Sequence, residues 1–334
     1  MTPRRRIIPL FVPHLGCPHR CVFCDQRRIA GETQPMTAAR AAAMIREGLA
    51  KNGGGPAAVA FYGGSFTAIP AAEQEALLGA VAPFLLDGSV ESLRLSTRPD
   101  AVDEKTVERL RRYGVRTVEL GVQSMDDEVL RLSGRGHTAA DAVRAAGLLK
   151  AAGFELILQM MTGLPGDTEA KSLATAERLI ALRPDGVRIY PTVILRGTAL
   201  ETLWRAGAYR EHTVENAVSL CARLAERFDA AGIPVVRLGL NPTEALSGGE
   251  AVGGAYHPAL GELVLSRRYL ARAEALISEA DRGAEVVFEI PPGEMSAAVG
   301  QRRENVRALT ARYGLKRAKY VEVFDLKRPE IRRK

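Results

Sequence analysis

The apolar run Ile7-Ile-Pro-Leu-Phe-Val12 leads, through Pro13-His-Leu-Gly16, into Cys17-Pro-His-Arg-Cys21-Val-Phe-Cys24, and the reading of the chain turns on that junction. Three of the four cysteines fall inside these eight residues, and the fourth, Cys221, stands about two hundred residues downstream in a helical pattern. Three thiolates hold three irons of a cubane cluster and leave the fourth iron open, which a redox cofactor needs if it is to bind and cleave a second ligand. Four protein thiolates, as in an electron-carrier ferredoxin, close that position. The octapeptide also suits a structural zinc ion completed by His14 or His19, or three unrelated loop thiols. Taken alone it does not separate these readings.

Composition narrows the class. A chain of 334 residues with 46% hydrophobic and 25% charged residues builds a large α/β core and a small second module. It holds no apolar run of membrane-spanning length, and the start Met-Thr-Pro-Arg-Arg-Arg lacks a secretory signal pattern. Four cysteines in so long a chain make no disulfide framework, so a reducing compartment, the cytoplasm, is expected. The net charge of +7 is uneven: residues 302–334 hold twelve Lys/Arg against four Asp/Glu, which leaves the preceding body at about −1. A basic tail on a near-neutral body points to a polyanion, nucleic acid first.

Short apolar runs predict strands at 7–12, 57–62, 91–96, 115–121, 154–160 and 186–191. Amphipathic patterns between them predict helices at 37–51, 71–86, 103–113, 138–152 and 168–182. Thr37, Asp103, Thr138 and Thr168 stand where N-caps belong, and Gly53, Gly114 and Gly153 where helices stop. Alternating β and α gives parallel strands with right-handed crossovers. The predicted fold is α/β, an incomplete (β/α)6 TIM-like barrel, with an open doubly wound sheet as the alternative. In a parallel barrel, function collects at the carboxyl ends of strands. Tyr62-Gly63-Gly64-Ser65-Phe66 stands at such an end, and its glycines let a backbone approach a ligand closely.

The C-x-x-x-C-x-x-C spacing, with Phe23 before the last cysteine, resembles the radical S-adenosylmethionine (radical SAM) superfamily. The resemblance implies a partial barrel carrying a 4Fe-4S cluster on Cys17, Cys21 and Cys24. Its open iron would chelate S-adenosylmethionine for reductive cleavage to a 5′-deoxyadenosyl radical. It also implies a reductant such as flavodoxin or ferredoxin. By the same resemblance Phe23 packs near the adenine, and Gly63 and Gly64 accept the methionyl ammonium through main-chain carbonyls. Ser65 stands where many members have Glu. Ser96, Arg98, Gln123 and Arg135 would contact ribose and carboxylate, and Gly163 and Leu164 would flank the adenine.

A narrower resemblance joins these segments. Gly121-Val-Gln-Ser, Arg135-Gly-His-Thr, Gly163-Leu-Pro-Gly, Ile189-Tyr-Pro-Thr, Arg196-Gly-Thr, Leu203-Trp and Tyr256-His-Pro follow the order of the Elongator catalytic-subunit family over roughly residues 7–270. That family's radical SAM half works with an acetyltransferase half to carboxymethylate the wobble uridine of tRNA. No segment here resembles the acetyltransferase half, so a stand-alone Elongator-like protein is expected. The resemblance makes Tyr190, Arg196, Tyr256 and His257 the candidate catalytic residues, their partners at the substrate still open.

From about residue 285 the pattern changes to strand, turn, helix and strand. Met295 to Arg307 resembles the core of bacterial-type KH domains, in which a Gly-x-x-Gly turn clamps nucleic acid. Gly300 matches the first glycine and Arg303 occupies the second, so Gly300, Arg302, Arg303 and Arg307 are the candidate RNA contacts. The expected division is a radical SAM barrel core over 1–240, a loop and helical extension packed on it over 241–284, and a small basic KH-like α/β module over 285–334. The leading function is a radical SAM enzyme modifying a nucleoside in tRNA. The alternatives are a radical SAM enzyme acting on a small molecule such as a porphyrinogen, and a zinc-stabilised RNA-binding protein without catalysis.

Overall fold

The computed structural model describes residues 6–12, 17, 21–25, 34–52, 55, 57–244 and 246–334. His14, His19 and Gly53 lie outside them. Seven parallel strands form one curled sheet: β1 (Ile7–Phe11), β2 (Ala57–Tyr62), β3 (Val90–Thr97), β4 (Val115–Gln123), β5 (Glu155–Thr162), β6 (Gly186–Pro191) and β8 (Val235–Leu238). They are ordered as in the chain, each pairing with the next. The result is the expected partial barrel, carried one strand further than the six predicted units.

The helices cover the outside of this sheet, which is why its strands read as near-continuous apolar runs. Val59, Phe61, Leu93, Leu95, Val118, Leu120, Leu158 and Ile189 are almost wholly buried. α1 (Ala38–Lys51), α3 (Glu104–Arg112), α5 (Ala139–Ala151) and α6 (Glu169–Ala181) start where their caps predict, counting α2 (Ala71–Leu86) and α4 (Asp127–Leu132) in chain order. Thr37, Asp103, Thr138 and Thr168 each accept a hydrogen bond from the backbone N–H three residues on. α7 (Ala199–Arg205), α8 (Val214–Ala230) and α9 (Leu260–Glu274) complete the body. Cys221 on α8 is fully buried and fills core space; burial pushes its thiol up to about 12.

A two-stranded sheet of β7 (Val193–Leu195) and β9 (Ala251–Gly254) lies beyond β6. Val193, Leu195 and Leu246 form a small apolar cluster there, with Leu240 and Tyr256 against it. Its strands are too short to carry a readable period, and they pair across more than fifty residues of chain.

The carboxyl-terminal part has its own sheet, ordered β11 (Arg317–Glu322), β10 (Glu285–Ile290), β12 (Arg332–Arg333), with β10 and β11 parallel. Between those parallel strands run α10 (Met295–Val299) and α11 (Glu304–Tyr313). The single helix predicted between these two strands is thus two. Gly300 breaks it at φ 77°, where a Cβ would lie 2.8 Å from Glu304 Cγ. The second core joins Val286, Phe288, Ile290, Ala298 and Leu309 to Leu265 and Tyr269 of α9. Leu260 and Val264, earlier on the same helix, face the main core.

Candidate active site

At the carboxyl ends of the strands a cavity of about 1050 Å³ opens. The cysteine loop forms one wall. Val22 N–H donates to the Ser133 carbonyl at 3.1 Å, Leu200 N–H to the Val22 carbonyl at 2.8 Å, and Cys24 N–H to the Cys21 carbonyl at 3.1 Å. Phe23 packs in the apolar cluster of Ile194, Leu200 and Tyr209 while bordering the cavity. Cys17, Cys21 and Cys24, none of them in a disulfide, are of intermediate exposure on this wall.

Each of two cysteines meets a residue that the sequence singles out elsewhere. Cys17 Sγ is 3.5 Å from Ser65 Oγ. Arg135 Nη1 donates to Cys21 Sγ at 3.4 Å, and its Nη2 to the Gly121 carbonyl at 2.6 Å. Arg98, almost fully buried, pairs with Asp100 and donates to the Arg135 carbonyl. Among the described residues no three His, Cys, Asp or Glu side chains gather as closely as a single metal ion requires. A cubane takes its thiolates on separate irons, so the donor set fits it: three cysteine side chains along one wall, outside any disulfide and beside a cation.

Gly63 and Gly64, which directly follow β2, also line the cavity. Gly63 has φ 100°, a backbone state that favours glycine, although a Cβ would find only ordinary contacts from 3.5 Å. Gln123 is a strained neighbour at φ 68°, buried, and accepts from Gln159 Nε2 at 3.1 Å. A non-glycine residue held there costs roughly 1–3 kcal/mol, strain of a kind that clusters at ligand sites. His137 is buried behind the wall, with Nε2 3.1 Å from the Val122 carbonyl. Burial first, then the Arg135 charge, lowers it to about 4.

The structure thus places Cys17, Cys21, Phe23, Cys24, Gly63, Gly64, Ser65, Ser96, Arg98, Gln123, Arg135 and Tyr190 around one cavity. Other candidates stand away from it. Gly163 and Leu164 do not line it. Leu164 is buried, the Gly163 carbonyl accepts from Tyr209 Oη at 2.6 Å, and a Cβ on Gly163 would strike the His212 ring at 2.4 Å. Arg196 is exposed and donates to the Gly249 carbonyl at 3.1 Å. Tyr256 shares a 2.9 Å hydrogen bond with Ser247, and His257 Nδ1 accepts from Ala259 N–H at 3.1 Å at the start of α9.

Sequence reasoning missed a polar group inside the barrel. Glu119, only 3% exposed, accepts from Arg188 Nη2 at 2.9 Å and from Tyr62 Oη at 3.1 Å, and is ion-paired with Arg94, whose Nε lies 3.0 Å away. Burial, then Glu119, pushes the Tyr62 hydroxyl up to about 12, so it stays a donor. Removing one partner of such a buried pair costs about 3–5 kcal/mol. The signal was present: Arg94, Glu119 and Arg188 are charges within otherwise apolar strands, where a charge must be paired or used.

On this geometry the comparisons with known proteins converge. A model of the Radical SAM superfamily matches residues 11–179, and a Radical SAM C-terminal domain matches 184–272. The chain is 34% identical over 135 residues to Elongator complex protein 3 of Mus musculus, covering 40% of this chain and 25% of that protein. It is 38% identical over 120 residues to the tRNA uridine(34) acetyltransferase of Dehalococcoides mccartyi, covering 35% and 26%. The match spans about a quarter of the length of these relatives. In fold it is similar to the archaeal Methanocaldococcus infernus Elp3 with its N-terminus deleted, with a TM-score of 0.63, 23% identity, and coverage of 84% of this chain and 66% of that one.

Proposed function

The chain belongs to the radical SAM superfamily, and from that premise we propose that it is an enzyme that modifies a nucleoside in tRNA. It is a radical SAM enzyme, and the superfamily uses a 4Fe-4S cluster and S-adenosylmethionine. Cys17, Cys21 and Cys24 would hold the cluster. Gly63, Gly64, Ser65, Ser96, Arg98, Gln123 and Arg135, with Phe23, would hold S-adenosylmethionine. The observation that carries this assignment is the meeting of the cysteine wall with strand-end residues: Cys17 against Ser65, and Cys21 against Arg135.

When both are bound, one-electron reduction supplies a 5′-deoxyadenosyl radical able to abstract a hydrogen atom from the substrate. The chain's own residues prepare the place. Arg135 ties the cysteine wall to the end of β4 through the Gly121 carbonyl. Arg98 fixes Arg135 from its backbone side. Gly63 turns the chain at φ 100°, which exposes main-chain groups to the cavity. An electron donor of the flavodoxin or ferredoxin type would supply the electron.

Two observations support tRNA as the substrate. The matched relatives include proteins named for acetylating tRNA uridine 34. The carboxyl-terminal part presents Arg302 and Arg303 on a left-handed turn beside Gly300, and Arg307 on the first turns of α11, all three exposed. We read residues 285–334 as the module that holds RNA phosphates while chemistry proceeds in the barrel. Digesting total RNA from cells with and without the gene, and comparing nucleosides by mass spectrometry, tests the proposal. A tRNA nucleoside that disappears without the gene supports it, and identical profiles with a missing small metabolite overturn it.

A further inference from the structure

Arg188 stands on the inner face of β6, level in register with Gln159 of β5 and, through it, with Gly121 of β4. Its Nη2 donates to Glu119 at 2.9 Å and to the Tyr62 hydroxyl at 3.3 Å. Its Nη1 donates to the Tyr190 hydroxyl at 3.1 Å. Its Nε is buried and has no hydrogen-bond partner. Glu119 is not Arg188's alone, because Arg94, which does not line the cavity, holds the same carboxylate at 3.0 Å. One carboxylate therefore serves two guanidiniums, and only Arg188 of the two borders the cavity. The neighbouring register position on β8 is Arg237, which adds no negative charge.

Two guanidiniums therefore meet one carboxylate, which leaves one positive charge in excess here, although Glu119 also lines the cavity. Tyr190 Oη accepts from Arg188, so its own hydrogen is left to donate. A guanidinium matches the geometry of carboxylate and phosphate oxygens and holds them by charge-assisted hydrogen bonds. We propose that the Arg188 guanidinium and the Tyr190 hydroxyl form an oxyanion subsite inside the barrel, which anchors a carboxylate or phosphate group of the substrate. This rests on reading the cavity as the place where substrate meets S-adenosylmethionine, but not on the substrate being RNA. Arg188 and Tyr190 are then specificity-determining residues.

The test uses the full-length protein and three salts: acetate, inorganic phosphate, and chloride at matched ionic strength. The thermal unfolding midpoint is followed against each. Acetate or phosphate is expected to raise it beyond chloride, and to do so still when S-adenosylhomocysteine saturates the protein. Tyr190→Phe should weaken the apparent affinity, and Arg188→Gln should weaken it about tenfold or more, the loss of one charge-assisted hydrogen bond. If Arg188→Gln alone does not fold, Arg188→Gln combined with Glu119→Gln removes both charges and gives the same reading. The larger response, to acetate or to phosphate, tells which group the subsite takes. The proposal is overturned if the double variant responds like the parent protein, or if S-adenosylhomocysteine abolishes the effect. It is likewise overturned if the effect is no greater than with chloride, or if it vanishes only on replacing Arg302, Arg303 and Arg307, which leaves an adventitious surface ion only. The RNA reading has a separate readout, since a nucleoside profile does not depend on acetate.

Discussion

Arg135 and Cys21 are 114 residues apart in sequence, yet the guanidinium donates to the sulfur at 3.4 Å. The contact joins the cysteine loop to the strand-four end, because the other arm of Arg135 holds the Gly121 carbonyl. A cation beside a cluster thiolate favours the reduced, more negative cluster. Arg135→Gln should therefore keep iron but lower the cluster's reduction potential. Redox titration of the anaerobically reconstituted protein checks this. A potential that does not move would leave Arg135 with a purely structural role.

Single replacements of Cys17, Cys21 or Cys24 by Ala should each abolish the iron–sulfur absorbance and the cleavage of S-adenosylmethionine. Cys221→Ala should spare both, since that thiol lies wholly within the core. Its cost is a small cavity, about 1 kcal/mol of stability. Iron and sulfide analysis beside thermal unfolding separates the two classes. Stoichiometric zinc with no iron after anaerobic reconstitution contradicts the assignment.

Gly63→Val places a β-branched residue at φ 100°, where the backbone alone costs about 1–3 kcal/mol. Binding of S-adenosylmethionine should fall at least tenfold while iron content is kept, as equilibrium dialysis measures. Ser65→Ala removes the hydroxyl that sits 3.5 Å from Cys17 Sγ and leaves the backbone as it is. Its effect should be the milder of the two. Equal affinity in the valine variant and the parent protein would take Gly63 out of the site.

The barrel was legible because its central parallel strands bury most of both faces and several of its helices start at a capping side chain. Val59 and Phe61 read as a strand from composition alone, and Thr138 closes a capping box with Asp141 as its position predicts. The cysteine wall of the cavity was legible because it is made of special residues, three cysteines close in sequence, with a glycine of positive φ nearby on the cavity lining. The polar group inside the barrel was not. Glu119 and Arg188 lie in different strands 69 residues apart, and only the curl of the sheet brings them to 2.9 Å. Sequence order likewise cannot tell that Tyr190 faces the cavity while His257 is turned to the start of a helix.

His137 gives a pH signature. Burial and Arg135 lower it to about 4 from 6.5, so the folded state binds its proton less readily than the unfolded chain does. Its contribution is fully present above pH 6.5 and is lost as pH falls from there towards 4, about 3 kcal/mol in all. His137→Asn keeps a polar, hydrogen-bonding side chain without the titration. Between pH 7 and 5 the variant should lose about 2 kcal/mol less stability than the parent protein in denaturant titrations. Parallel losses in both would mean that other groups govern the acid limb.

The last expectation concerns RNA. Removing the carboxyl-terminal part is a poor test, because Tyr269 of α9 is fully buried against it and would be laid bare. Point replacements avoid this: Arg302, Arg303 and Arg307 are exposed, and Asn305 holds the turn from beneath by donating to the Ser266 and Ala298 carbonyls at 3.1 and 3.0 Å. Arg302 and Arg303 sit at φ 48° and 62°, which extends both side chains from a strained turn rather than from a regular helix. Each phosphate they neutralise releases counterions, so tRNA affinity must fall as salt rises. Changing all three to Gln should weaken tRNA binding and flatten the slope of log K against log salt by up to about three. Uncoupled cleavage of S-adenosylmethionine, which needs no RNA, is the control for an intact barrel. A slope unchanged in the triple variant would place the RNA contacts elsewhere and leave this part of the chain as a cap on the barrel.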